Sequence, residues 1–164
     1  MLYPQYYYDS ILDIPYEKLF SKGIRGIVFD VDNTMACHDE LRPSLEIVLL
    51  VNRLLEMGFK VALLSNGSAT RVNTFNQSMN LPAVSRAAKP FTSSLSQLIK
   101  EMQLDASFST VIIGDQIFAD VLCGNLIGIT TILVKPVSEK EVFVVRIKRG
   151  LERWILRRYS RGQL

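Results

Sequence analysis

A run of small and apolar residues, Gly26–Ile27–Val28–Phe29, ends in Asp30–Val31–Asp32–Asn33–Thr34. An unbroken apolar stretch suits a strand buried on both faces of a parallel sheet, whereas a half-exposed strand alternates. Such a strand carries Asp30 and Asp32 to its C-terminal edge, the side on which open α/β sheets bind ligands. Two clustered carboxylates suit a hard cation such as Mg²⁺, and an Asp neutralised by a metal can attack phosphorus. The pattern points to phosphoryl transfer. Calcium-loop geometry is excluded: counting from Asp30, Met35 stands where an EF-hand needs Gly, and Leu41 where it needs the bidentate Glu. A D-x-D pair also occurs by chance in surface turns, so the weight falls on the parts that follow it.

Those parts come in the alternation of apolar strands and amphipathic helices that marks a doubly wound parallel sheet. The pattern predicts a first strand at Gly23–Phe29 and a helix opened by Pro43 and ending near Met57, with Gly58 as its stop. A strand at Phe59–Leu64, a helix at Ala69–Met79 and a short edge strand near Ala83–Arg86 follow. Next come a helix from Pro90 to Met102, a strand at Thr110–Ile113, a helix at Ile117–Leu126 and a last strand at Thr130–Val134. Strand ends then deliver Asp30 and Asp32, the Ser65–Asn66–Gly67 turn, Lys89 and Gly114–Asp115–Gln116, with Asp120 one helical turn on. Each alone has an ordinary explanation as a cap, a surface lysine or a turn. Together they fall on one edge of one sheet.

At 164 residues the chain is read as one domain, with residues 1–22 as an N-terminal arm and 138–160 as a C-terminal helix. No apolar run approaches the ~20 residues of a membrane span. Asp9 and Asp13, with no early basic cluster, fit neither a secretory signal nor a transit peptide. Cys37 and Cys123 lack metal or redox spacing and read as free thiols in a reducing compartment. The expected location is cytoplasmic, with a peripheral position at the inner membrane face as its extension. The net charge of +3 conceals an asymmetry. After Glu141, seven basic residues (Arg146, Lys148, Arg149, Arg153, Arg157, Arg158 and Arg161) face one acid, Glu152, so the rest of the chain is net acidic.

The ordered set Asp30-x-Asp32-x-Thr34, a strand ending in Ser65, Lys89, and Gly114–Asp115-x-x-x-x-Asp120 resembles the four motifs of the haloacid-dehalogenase-like (HAD) superfamily over about residues 23–134. The fuller strings, Phe29–Asp30–Val31–Asp32–Asn33–Thr34, Leu64–Ser65–Asn66 and Gly114–Asp115–Gln116, resemble the YqeG-like branch of HAD subfamily IIIA phosphatases. That branch also includes the phosphatidylglycerophosphate phosphatases of mitochondria and plastids. Ala119 departs from the Thr that often precedes the last Asp in those relatives.

The resemblance implies a Rossmann-like fold and a Mg²⁺-dependent phosphomonoester hydrolase working through an aspartyl-phosphate. Asp30 resembles the nucleophile and Asp32 the general acid/base. Asp30, the main-chain carbonyl of Asp32 and Asp115 resemble the metal ligands. Ser65, Asn66 and Lys89 resemble the substrate-binding set, with Thr34 and Asp120 as supports: Thr34 bracing the loop, Asp120 orienting Lys89 or a metal-bound water. Cap domains of this superfamily are inserted after the first motif or between the second and third. Only 30 residues separate Thr34 from Ser65, and one helix, one strand and a flap use them, so no cap domain is expected. An open site favours a bulky substrate, with a phospholipid head group such as that of phosphatidylglycerophosphate placed first. A soluble nucleotide or phosphoprotein phosphatase and a non-catalytic binding module of the same fold are the alternatives.

Three features stand outside these motifs. His38 in the flap reads as a solvated loop residue. Tyr6–Tyr7–Tyr8 reads as an arm packed on the sheet, with an interfacial aromatic belt as the alternative. In the basic tail, Val144, Ile147, Leu151, Trp154 and Ile155 share a helical face opposite Arg146, Arg149, Arg153 and Arg157. That helix either packs on the domain or lies on anionic lipid, each basic residue then adding roughly 1 kcal/mol near the surface. No motif supports a nucleic-acid partner.

Overall fold

A computed structural model describes residues 1–104 and 109–138 of the chain. The six strands are β1 (Tyr6–Tyr8), β2 (Gly26–Phe29), β3 (Lys60–Leu64), β4 (Ala83–Val84), β5 (Thr110–Gly114) and β6 (Thr130–Val134). They form one sheet in the order β1-β6-β5-β2-β3-β4, with every neighbour pair parallel. The helices are α1 (Tyr16–Ser21), α2 (Leu45–Glu56), α3 (Ala69–Asn76), α4 (Ser93–Glu101) and α5 (Leu122–Ile127). The chain runs outward from β2 through β3 to β4, then crosses to β5 and β6 on the other side. The order therefore reverses at β2, and the crevice of a doubly wound sheet opens beyond its C-terminal end.

All four residues of β2 are buried, as a covered parallel strand requires. Alternate side chains feed two cores. Ile27 and Phe29 join Val61, Leu63, Val111 and Ile113 beneath Ile47, Leu50, Val51 and Leu54 of α2. Val28 joins Ala62, Leu64 and Ile112 against Leu95, Leu98 and Ile99 of α4 and Cys123 of α5. Between Thr34 and Ser65 the chain forms a flap, α2 and β3, and between Ser65 and Lys89 it forms α3 and β4. No inserted cap covers the edge in either interval. Among the described residues no helix is long and apolar enough to cross a membrane.

Several boundaries differ from the sequence expectation. The first central strand begins at Gly26, not Gly23, because Gly23 takes φ +91° in the turn that ends α1. The helix expected from Pro43 begins at Leu45, with Ser44 Oγ accepting from the Ile47 N–H at 3.4 Å. Pro90 lies before α4 instead of opening it, since both backbone polar groups of Lys89 are tied to the Asn66 side chain and the chain turns before Ser93. The Ile117–Leu126 helix divides into a π-helical turn, Ile117–Val121, and α5. The tyrosine run does more than pack on the sheet. It is an edge strand beside β6, with Tyr6 and Tyr8 on one core and Tyr7 on the small cluster of Ile117, Val121 and Leu133. Of the C-terminal helix expected at 138–160, residues 139–160 lie outside the described residues.

The Leu63 side chain is fully buried beneath α2. Leu63→Ala should cost about 2–5 kcal/mol, the usual range for emptying such a site. Urea unfolding should show this as a lower midpoint at unchanged m-value.

Candidate active site

The site begins where β2 stops. The Asp30 N–H donates to the Ile113 carbonyl at 2.9 Å, which prolongs the β2–β5 ladder and fixes the residue by the sheet. The chain then turns sharply. Thr34 and Met35 donate to the Val31 carbonyl (3.3 and 3.0 Å), and Asn33 N–H donates to the Ala36 carbonyl (2.8 Å). Asn33 adopts φ 62°, a left-handed conformation that Asn tolerates better than most residues. This turn brings the Thr34 hydroxyl back to within 3.1 Å of Asp30 Oδ2 and 3.2 Å of Asp115 Oδ1. Its single proton serves one of the two carboxylates at a time.

Lys89 is buried beneath the same edge. Its Nζ donates to Asp30 Oδ1 (2.6 Å), Asp120 Oδ1 (2.6 Å) and the Leu64 carbonyl (2.8 Å), so its three donors all have protein acceptors. The expectation that Lys89 simply offers a cation to substrate is refined by this geometry: any phosphoryl oxygen meets an ammonium already shared with Asp30. Asn66 holds the lysine from behind. Its Oδ1 accepts from the Lys89 N–H (2.8 Å) and its Nδ2 donates to the Lys89 carbonyl (3.2 Å). The Asn66 amide thus grips Lys89 backbone, where sequence reasoning had put it among the substrate contacts. Ser65 is buried, and its Oγ accepts from the Gly67 N–H at 2.9 Å.

The end of β5 supplies the other acids. Asp120 Oδ2 accepts from the Gln116 N–H at 3.1 Å while Oδ1 accepts from Lys89, so both oxygens are engaged. Gly114 makes this approach feasible, because a Cβ there would stand 2.2 Å from Asp120 Cγ. Asp30, Asp115 and Asp120 can bring carboxylate oxygens within 4.8 Å of one another, all three buried. The Asp30 carboxyl stands at about 6: burial raises it most, Lys89 works against that rise, and the charges of Asp120 and Asp32 add to it. Burial also works against the Lys89 ammonium, but Asp120 and Asp30 outweigh it and hold the pKa above the usual lysine value. Three buried carboxylates around one ammonium leave an excess of negative charge in an all-oxygen setting. That fits a hard divalent cation. Since Lys89 and Gln116 occupy Asp120, the oxygens best placed to hold one are Asp30 Oδ2 and Asp115 Oδ1, which meet at Thr34.

Asp32 takes a separate position. Its side chain is 20 % exposed and stands outside the buried acidic cluster. Its Oδ1 accepts from Arg71 Nε at 3.1 Å and lies 3.3 Å from His38 Nδ1. The His38 side chain is 79 % exposed, in keeping with a solvated loop residue that nonetheless touches the site. Arg71 was not anticipated from sequence. Its one signal there was its place four residues before Phe75 on the buried face of α3. Cys123 is buried in the second core, which raises its thiol to about 11, and it takes no part in the cluster.

Comparisons with known proteins give the family of the chain. The family described as mitochondrial PGP phosphatase matches residues 1–138. Probable phosphatase YqeG of Bacillus subtilis is 34 % identical over 93 % of this chain and 88 % of its own length. Phosphatidylglycerophosphate phosphatase 1, chloroplastic/mitochondrial, of Arabidopsis thaliana is 29 % identical over 94 % of this chain but only 48 % of its own length. In structure, the cobalt-bound deoxy-D-mannose-octulosonate 8-phosphate phosphatase of Haemophilus influenzae superposes with a TM-score of 0.54 at 16 % identity. The match covers 85 % of this chain and 90 % of that one, a likeness of fold. The chain is a HAD-superfamily phosphatase, a phosphoric monoester hydrolase. Within that superfamily it belongs to the mitochondrial PGP phosphatase family.

Replacing Lys89 with Met leaves Asp30 and Asp120 buried without their cation, which should cost about 3–5 kcal/mol at neutral pH in the absence of divalent metal. The Asp30 carboxyl, already raised to about 6 with Lys89 present, then rises further. A carboxyl with a higher pKa folded than unfolded stabilises the fold once protonated and loses that contribution as pH rises through the folded value. The stability deficit of Lys89→Met should therefore narrow as pH falls toward about 6, as thermal unfolding across a pH series would show.

Proposed function

We propose that this phosphatase is Mg²⁺-dependent, works through a phosphorylated Asp30 and acts on a phosphomonoester carried by a phospholipid head group, phosphatidylglycerophosphate first among them. The observation that carries the substrate reading is the family match over residues 1–138, joined by the Arabidopsis relative whose name states that substrate. The uncapped edge supports it, because a membrane-borne head group brings its own bulk to the site.

In this reading Asp30 attacks phosphorus through its oxygen beside Lys89, and the bond to the leaving oxygen breaks as Asp32 donates a proton to it. Water then attacks the aspartyl-phosphate and Asp32 takes its proton back, releasing phosphate and restoring Asp30. Lys89 and the Ser65 hydroxyl balance charge on the transferring oxygens. Asp30, Asp115 and the main-chain carbonyl of Asp32 would hold Mg²⁺, which when bound offsets negative charge between nucleophile and phosphate. Thr34 keeps the two ligating carboxylates aligned, and Asp120 keeps Lys89 in register.

The basic segment after Ser138 extends this reading to location. The described chain reaches the site at its end, where the Val137 N–H donates to the Asn33 carbonyl at 2.8 Å. The sequence beyond Ser138 supplies the basic residues. Contact of its arginines with an anionic membrane would bring the open edge to a lipid head group.

Asp30→Asn, which keeps an oxygen to accept from Lys89, should abolish Mg²⁺-dependent hydrolysis of a phosphomonoester while circular dichroism shows the fold retained. Asp32→Asn should slow turnover by roughly 10²–10⁴-fold, the usual scale for proton transfer. Asp115→Asn should raise the metal concentration needed for half activity. Full activity in Asp30→Asn would overturn the nucleophile.

For the lipid, the protein should sediment with anionic but not neutral vesicles, less so in high salt. Charge reversal of Arg149, Arg153 and Arg157 should lower hydrolysis of vesicle-borne phosphatidylglycerophosphate but not of a small soluble phosphoester. Strong activity on soluble substrates with none on the lipid would transfer the assignment to a nucleotide or phosphoprotein.

A further inference from the structure

Arg71 is an arginine in an expensive place. It lies in the first turn of α3, where Ser68 Oγ caps its N–H at 3.2 Å, and its side chain is only 8 % exposed. Three contacts hold the guanidinium at the catalytic turn. Nε donates to Asp32 Oδ1 (3.1 Å), Nη2 donates to the Cys37 carbonyl in the flap (3.2 Å), and the group lies 5.1 Å from the ring centre of Phe75. Its remaining nitrogen, Nη1, is shielded from solvent and has no hydrogen-bond partner among the described residues. A buried donor left unmade opposes folding, so this placement is not explained by stability alone. Asp32 itself is partly exposed and would be solvated without a cation.

The surroundings narrow the carboxylate further. Gly67 packs so closely against it that a Cβ there would stand 3.0 Å from Asp32 Oδ2 and 3.7 Å from Arg71 Cγ. One oxygen of Asp32 is therefore held by Arg71 while the other faces Gly67 backbone. Arg71 also joins the two segments that flank the crevice, the Asp32 turn and the Cys37 flap. A general acid must lie within hydrogen-bond reach of the leaving oxygen, and an Asp on a turn has two free torsions to lose.

We propose that Arg71 is the positioning residue for Asp32: through Nε and Nη2 it locks the carboxylate against the flap in the orientation that serves the leaving oxygen. This rests on Asp32 being the acid/base, and the test separates failure of the one from failure of the other.

Proton delivery matters for a poor leaving group and little for a good one. Wild type, Asp32→Asn, Arg71→Met, Arg71→Lys and the double variant Asp32→Asn/Arg71→Met would be compared on glycerol phosphate and on p-nitrophenyl phosphate, each with its thermal midpoint. Arg71→Met should lower kcat/KM on the alkyl phosphate by about 10–100-fold, the scale of a misplaced catalytic group. It should lower kcat/KM on the aryl phosphate by less than about 3-fold, because kcat/KM reads the steps through loss of the leaving group and not the hydrolysis of the aspartyl-phosphate that both substrates share. Arg71→Lys, which keeps a cation without the fork, should show the same bias to a lesser degree, and it carries the test if the Met variant does not fold. The double variant should be no slower than Asp32→Asn. Equal losses of kcat/KM on both substrates, wild-type activity in Arg71→Met, or additive losses in the double variant would overturn the proposal. If kcat/KM of Asp32→Asn itself shows no preference for the better leaving group, the acid/base assignment falls and the role of Arg71 falls with it.

Discussion

The ammonium of Lys89 lies between Asp30 and Asp120 beneath the C-terminal edge of the sheet, and the site is organised around that contact. A charge so deeply buried is tolerated only with partners on every side, and Lys89 has three. Each partner comes from a different part of the chain: Asp30 from the end of β2, the Leu64 carbonyl from β3, and Asp120 from the turn after β5. Removing the contact would therefore affect folding and chemistry alike. The same contact explains two neighbours. Asn66 is needed to hold Lys89 backbone in place, and Gly114 is needed because any side chain there would occupy the space of the Asp120 carboxylate.

The position of this cluster follows from the winding of the sheet. Because the chain departs from β2 to both sides, the loops after β2, β3 and β5 diverge and leave a crevice between them. Parallel strands covered on both faces end at that crevice, and the contacts of Lys89 with Asp30 and Asp120 are already formed there. The flap after Thr34 is linked to α3 through Arg71. The two carboxylates differ in burial: Asp30 lies with Lys89 inside the edge, while Asp32 stands at its rim.

Much of this was legible before any coordinates. The apolar run before Asp30, the motif order and the strand–helix alternation identify the sheet, its edge and the residues gathered there, since burial pattern and turn chemistry are local properties. The short intervals between motifs also exclude an inserted cap. Boundaries were less legible where a tertiary contact decides them. Pro90 has the local signature of a helix start, yet the Asn66 amide holds Lys89 outside the helix. Tyr6–Tyr8 carries too few residues to declare itself a strand and becomes one only because β6 has a free edge.

Sequence alone determined which chemical groups the protein has and on which side of the sheet they emerge, because strand periodicity and loop position settle that without reference to distant parts. Tertiary structure decided how those groups divide the work. Whether Asn66 meets substrate or holds Lys89, whether Asp120 is free for a metal or engaged by an ammonium, and that Arg71 reaches Asp32 at all depend on distances across 23, 31 and 39 residues of chain. No local pattern encodes such separations. They are set by the packing of α3, β3 and β5 about β2, where a hydrogen bond forms only once the sheet has brought its two ends together.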